Sequence, residues 1–193
     1  MYIFLLFMIY SFVGWCFECI HMAITTKEVV NRGFLNGPYI PVYGVGLTLI
    51  TLLLSRFKSN FLLLLFLSIF VIGVVEYLAG YFLEKIFKIR WWDYSNRKFN
   101  LHGRVCLNTM TIFITGAMLI IYFIHPVIMN FLNRLSINAT LWLCIILILI
   151  ILGDLILSIL FTLKFLKSKN ISNRLDKTPE IKAYIKKKMS KKM

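Results

Sequence analysis

The sequence predicts an all-α fold, a polytopic transmembrane helix bundle with five spans. Hydrophobic residues make up 60% of the 193 residues, above the roughly 45–50% of soluble domains. These residues lie in long blocks rather than in the alternating patterns of amphipathic elements. The 22 Lys and Arg, against 8 Asp and Glu, are gathered mainly in two loops and the C-terminal tail. Such clustering is typical of basic residues that fix membrane orientation.

Four apolar blocks are each long enough for an α-helix to cross the hydrocarbon core, which takes about 20 residues. They are residues 2–23, 61–83, 105–125 and 138–165. A fifth block, residues 42–54, has only 13 residues. We expect it to span if its helix starts near Pro38, with the prolines in the first turn, and to re-enter the membrane otherwise.

The charge distribution favours five spans over four spans plus a re-entrant segment. Five spans place 19 of the 22 basic residues on one side, whereas four spans place 17 there. The positive-inside rule then predicts a cell-membrane protein with its N-terminus outside and its C-terminus in the cytoplasm. Residues 1–166 form the predicted transmembrane domain, and residues 167–193 form a basic tail suited to anionic headgroups. Nucleic acid is not an expected partner, because topology accounts for the basic charge.

Three of the predicted parallel spans carry a carboxylate at similar depth. Glu18, Glu76 and Asp154 each lie about 22–24 Å along their helices, in the inner half of the bilayer. A charged side chain near the bilayer centre costs about 2.5–3.5 kcal/mol, so these groups should face one another or a wet cavity. They are candidates for a solute or ion path. His21 and Glu84 share helical stripes with Glu18 and Glu76 and join these candidates.

A second group of polar residues is predicted at the cytoplasmic side. The segment 90–104 has aromatic residues that suit a membrane interface, but also more hydrogen-bonding groups than anchoring requires. The candidates for this polar cluster are Arg32, Arg90, Asp93, Asn100, His102 and Arg104. A purely structural alternative stays open, in which these polar residues only bond helices to one another. The glycine- and proline-rich segment 31–46 has the composition to dip into the bilayer.

No catalytic residue, metal or cofactor is expected. Cys16, Cys19 and His21 have one residue too many for a covalent haem motif. Glu18 and His21 have the spacing of a di-iron ligand pair, but the required second pair is missing. The sequence contains no Walker A or Gly-x-Ser-x-Gly motif, so ATP hydrolysis by a P-loop is not expected of this chain.

Six stretches of the sequence form a specific combination: residues 12–18 (FVGWCFE), 33–38 (GFLNGP), 41–46 (PVYGVG), 76–80 (EYLAG), 90–95 (RWWDYS) and 99–104 (FNLHGR). Together they resemble a bacterial membrane family, the ABC-transporter permeases of the CmpB type. The resemblance covers roughly residues 8–130. It implies a transport function without naming a substrate.

Three functions stay open from sequence alone. The first is a permease or a transport-associated subunit, and the second is a non-catalytic assembly or regulatory subunit. The third is an intramembrane enzyme in which Asp93, His102 and Arg104 act on a lipid headgroup. The lipid bilayer is the expected surrounding in each case. A separate ATPase, another membrane subunit or a second copy of the chain are the protein partners left open.

Overall fold

The computed structural model describes residues 1–27 and 33–168, and nearly all regular structure in that part of the chain is helical. The helices are α1 (Tyr2–Thr26), α2 (Pro41–Leu54), α3 (Phe61–Phe87), α4 (Leu107–Leu119), α5 (His125–Asn133) and α6 (Ile137–Ser168). A 3₁₀ turn (Ser55–Phe57) follows α2, and a π-helical turn (Ile120–Ile124) joins α4 to α5. Two short antiparallel strands, β1 (Asn100–Leu101) and β2 (Val105–Cys106), precede α4. The predicted helical membrane bundle is confirmed.

Within residues 1–27 and 33–168, four helices are long and apolar enough to cross a membrane. They are Tyr2–Ile24, Phe61–Phe87, Leu107–Asn133 and Ile137–Lys164. The third runs through α4, the π turn and α5, so it ends eight residues later than the predicted 105–125 block. Pro126 has no N–H to donate to the preceding turn, and the helix continues past it by changing its hydrogen-bond pattern in the π turn.

The bundle has two ends that can be recognised from contacts. Near the N-terminal end, Cys144 of α6 contacts the carbonyl oxygen of Met1, with 3.8 Å between sulfur and oxygen. The Tyr122 hydroxyl donates to the Lys58 carbonyl there, at 2.7 Å. The opposite end holds the β1–β2 hairpin, and we call it the hairpin end.

The fifth segment crosses between these ends in two different conformations. Phe34 packs at the hairpin end, with its ring 5.2 Å from that of Phe87. The chain is then non-helical up to Ile40, whose N–H donates to the Ser11 carbonyl at 2.9 Å. Ser11 lies about 14 Å along α1, so α2 begins near the middle of the bundle. The helix starts at Pro41 rather than near Pro38, and only the second half of the fifth span is helical. The expectation that the segment would then re-enter is wrong, because the non-helical residues 34–40 complete the crossing.

Close packing of α1 on α2 depends on two glycines. A Cβ on Gly44 would lie 2.6 Å from the Phe7 carbonyl oxygen and would also overlap Ser11. A Cβ on Gly14 would overlap the side chain of Tyr43. The helices approach this closely because neither position carries a side chain, as is common between membrane helices.

We expect Gly44→Ala to lower the free energy of unfolding by about 1–3 kcal/mol, because the added methyl overpacks the α1–α2 contact. The matched control is Gly46→Ala in the same helix, where the nearest atom to a new Cβ is 4.0 Å away. The control should be neutral or stabilising by up to ~1 kcal/mol. Unfolding of both variants in one detergent tests this, and equal stability of the two would contradict the packing account.

Candidate functional site

Two of the three predicted carboxylates lie in one cluster between α1, α2 and α3. The Tyr43 hydroxyl donates a 2.6 Å hydrogen bond to Oε1 of Glu18. Tyr94, from the segment after α3, makes a side-chain hydrogen bond to Glu76, which is close enough to Glu18 to interact electrostatically. We call Glu18, Tyr43, Glu76 and Tyr94 the acidic cluster. Tyr43 lies at its centre, in electrostatic contact with the other three residues.

Glu76 is the most buried carboxylate of this cluster. Only 5% of its surface is exposed. Its Oε2 atom is buried without a hydrogen-bond partner among the residues that the structure describes. A buried polar atom in this state carries a desolvation cost, so it marks a place where a proton or a ligand would be stabilising.

Aromatic rings form one wall of the acidic cluster. The Tyr43 ring meets Phe113 of α4 edge-on, with 5.4 Å between centroids, and Phe17 lies 6.4 Å from it. His21 stacks on Phe17 at 6.3 Å, one turn further along α1. The cluster therefore has oxygen atoms on carboxylates and phenols, set within an apolar aromatic surrounding.

Asp154 of α6 binds a different part of the chain. Its carboxylate accepts hydrogen bonds from the N–H groups of Asn36 and Gly37, at 2.9 and 2.8 Å, and from the Tyr39 hydroxyl, at 2.8 Å. The Asn36 side-chain amide also donates to it, at 2.7 Å, and Ser158 donates at 3.3 Å. Asp154 thus holds the non-helical half of the fifth span against α6.

Glu84 lies with the predicted cytoplasmic-side residues and not with the acidic cluster. Its Oε2 atom is 2.8 Å from Nη2 of Arg104 and 3.3 Å from Nε of Arg90. The Arg104 guanidinium also lies over the rings of Tyr77 and Tyr81, 5.3 and 5.6 Å from their centroids. Glu84 therefore ties the end of α3 to both ends of the segment 90–104.

The hairpin turn is shaped by Asn100, His102 and Gly103. The Asn100 amide donates to the Arg97 carbonyl at 2.7 Å, and its oxygen accepts the Gly103 N–H at 2.8 Å. His102 and Gly103 have φ of 51° and 69°. A Cβ on Gly103 would lie 2.7 Å from Oδ1 of Asp93, so this position requires glycine on two counts. The His102 Nδ1 is 3.0 Å from the Tyr77 hydroxyl.

Neighbouring residues of the same segment stabilise the ionised form of Asp93. Oδ1 accepts the N–H and hydroxyl of Ser95, at 2.9 and 2.6 Å, and lies 3.3 Å from Nη1 of Arg90. Burial alone would raise the pKa of Asp93. The hydrogen bonds from Ser95 and the charge of Arg90 outweigh burial, and the pKa is lowered.

The residues predicted from sequence thus fall into three places. Glu18 and Glu76 come together, Asp154 binds residues 36–39, and Glu84 joins the 90–104 segment. Arg32 lies outside the described residues. Sequence reasoning missed the tyrosines that connect these groups, Tyr39, Tyr43, Tyr77 and Tyr94. The sequence around these tyrosines gives no signal of their partners, although the small Gly14 opposite Tyr43 is consistent with close approach. The assignment of the predicted carboxylates and His21 to a solute or ion path stays a prediction.

We expect Asp93→Asn to be less stable than the parent at neutral pH, because the carboxylate accepts charge-assisted hydrogen bonds that the amide does not. The folded pKa is lowered, so this advantage exists above the ordinary pKa of about 4 and fades as pH falls through the folded value. The free energies of unfolding of the parent and of Asp93→Asn should converge in acid. Asn96→Ala, at an exposed neighbour, is the control without a pH trend. A parent–variant difference that is constant with pH would contradict this.

A protein-family model described as "Putative ABC-transporter type IV" (ABC_trans_CmpB) matches residues 5–159. This range includes the acidic cluster, Asp154 and the 90–104 segment. Neither the curated proteins nor the solved structures contain a match to the chain. The family match covers most of the chain and confirms the resemblance of its sequence stretches. The chain therefore belongs to the ABC_trans_CmpB family of ABC-transporter-type membrane proteins.

Proposed function

We propose that the chain is a permease-type membrane subunit in which the acidic cluster is part of a path for a cation, and that a separate chain supplies ATP hydrolysis. The observation that carries the proposal is Glu76, a carboxylate inside a spanning helix with one oxygen that no described residue satisfies. Ionisable groups inside a membrane are costly, and they commonly mark ion and substrate paths.

The break in the fifth span supports the same function. Residues 33–40 are non-helical, and α2 begins beside Ser11, near the middle of the bundle. Tyr43 in the first turn of α2 binds Glu18 directly. Transporters commonly place their binding sites where a discontinuous helix begins near the bilayer midplane. The acidic cluster lies beside such a break.

The chemistry of the cluster favours a cation over an anion. Its four residues offer carboxylate and phenol oxygens, which are ligands of hard cations and of protons. The neighbouring rings of Phe17 and Phe113 suit an organic cation, which is attracted to aromatic faces. Asp154 differs, because donors of the chain itself already surround it.

The test is labelling of the purified protein with a hydrophobic carbodiimide, which modifies protonated carboxyl groups in apolar surroundings. We expect Glu76 to be modified and Glu76→Gln to lose that label. Asp154 is the internal control and should react at least about tenfold more slowly, because charge-assisted hydrogen bonds worth ~1.5–3 kcal/mol each favour its ionised form. Sodium, potassium or choline should slow the labelling of Glu76 and leave Asp154 unchanged.

Two outcomes would reject the cation path. One is a failure of all three cations to protect Glu76, and the other is equal labelling of Glu76 and Asp154. Full function of Glu18→Gln and Glu76→Gln in the cell would make both carboxylates structural, as an assembly subunit requires. Ser68→Ala, two turns before Glu76 and also buried, controls for general damage to α3. Crosslinked partners that include an ATPase would support the permease.

We also infer that the hairpin end faces the cytoplasm. Nine described basic residues lie toward that end, against three toward the other. The nine are Lys27, Lys85, Lys88, Arg90, Arg97, Lys98, Arg104, Lys164 and Lys167, and the three are Arg56, Lys58 and Arg134. The positive-inside rule then places the N-terminus outside.

Tags at the two termini should be labelled from opposite sides of the membrane, and labelling of both from the cytoplasm alone would favour four spans.

A further inference from the structure

Phe99, at the base of the β1–β2 hairpin, lies level with the first turn of a spanning helix. The N–H of Leu107, the first residue of α4, donates to the Phe99 carbonyl at 3.1 Å. The apolar span that α4 opens begins at Leu107. Phe99 therefore lies at the level where the chain enters the bilayer.

Phe99 is exposed and has an unfavourable backbone conformation. Its φ is 55°, and 78% of its surface is exposed. A left-handed conformation costs a non-glycine residue roughly 1–2 kcal/mol. Leu107 beside it is 49% exposed. The exposed Phe99 and the half-exposed Leu107 together present apolar surface at a level where acyl chains and headgroups meet.

Two basic residues precede Phe99 directly. Arg97 and Lys98 are exposed, and no described residue forms an ion pair with either. Arg90 and Arg104 differ, because Glu84 and Asp93 neutralise them. The unpaired positive charge of the segment is therefore concentrated next to Phe99.

We propose that Arg97, Lys98 and Phe99 bind the headgroup of an anionic lipid. Phe99 and Leu107 enter the boundary between headgroups and acyl chains, and the two basic side chains pair with the lipid phosphate. Basic residues near a membrane surface attract anionic lipids, and aromatic residues favour the interface. The level of Phe99 beside the start of α4 favours lipid over a soluble protein as the occupant.

The opposite end of the bundle holds a matched segment that lacks these features. Arg56, Phe57 and Lys58 have the same kinds of side chain. Phe57 is half-buried and packs against buried apolar residues of the bundle. The Arg56 guanidinium lies 4.9 Å from the centroid of the Phe57 ring. The Lys58 ammonium lies 5.3 Å from the Tyr122 ring centroid. Similar composition with an inward phenylalanine makes this segment the control.

The experiment measures binding of dansyl-labelled phosphatidylglycerol to the full chain in zwitterionic micelles, by energy transfer from the tryptophans. We expect Arg97→Gln with Lys98→Gln to weaken binding at this segment about thirtyfold, which is the effect of ~1 kcal/mol for each basic residue. The basic tail, residues 167–193, is the same in every variant and adds the same background binding to each. Phe99→Ala should also weaken the binding of labelled phosphatidylglycerol. Arg56→Gln with Lys58→Gln should bind like the parent. Labelled phosphatidylcholine should bind the parent more weakly than labelled phosphatidylglycerol does.

Three results would overturn the proposal. The first is unchanged phosphatidylglycerol binding in the Arg97/Lys98 double variant, and the second is an equal loss in the control double variant. The third is equal binding of the two lipids, because the site would then not recognise charge. Loss of a co-purified soluble protein, with lipid binding intact, would assign the surface to that protein instead. These outcomes do not depend on the acidic cluster.

Discussion

Asp154 of α6 supplies the acceptor that a helix would otherwise give to residues 36 and 37. Inside a bilayer no water is available for exposed N–H groups, so a non-helical segment persists only where the protein satisfies its backbone. The carboxylate accepts both N–H groups, together with the Asn36 amide and the Tyr39 hydroxyl. The Ser11 carbonyl, which has a second lone pair to offer, accepts the N–H of Ile40. These bonds make the non-helical half of the fifth span possible.

The acidic cluster depends on this arrangement. Because the chain stays non-helical up to Ile40, α2 starts near the middle of the bundle and its first turn lies beside α1. Gly14 and Gly44 then let the two helices approach until the Tyr43 hydroxyl reaches Glu18. If α2 started at Pro38, Tyr43 would lie nearly one turn further from the start of the helix than it does now. The polar bonds of α6 therefore help to position the acidic cluster, although Asp154 is not a member of it.

Much of this fold can be predicted from the sequence, and the features that cannot be predicted have a common cause. The long spans begin within a few residues of the apolar blocks, because hydrophobic length is a local property. The start of α2 at Pro41 is decided by the contact of Ile40 with Ser11, which no local pattern reveals. The bonds between Asn36 and Asp154 join residues 118 positions apart. The carboxylates could be located by depth, but their partners could not, since equal depth does not say which helices are neighbours.

Three buried or half-buried carboxylates in one bundle illustrate why the residue type alone does not assign a role. Asp154 is surrounded by donors, so its charge is used to hold backbone in place. Glu84 is shared by Arg90 and Arg104, so its charge is neutralised and ties a loop to the end of α3. Glu76 keeps an oxygen without a described partner. Both other groups would lose bonds on gaining a proton or a cation, whereas Glu76 would gain one. Under the proposed function, the first carboxylate to test is therefore the acceptor that the described part of the fold leaves unsatisfied.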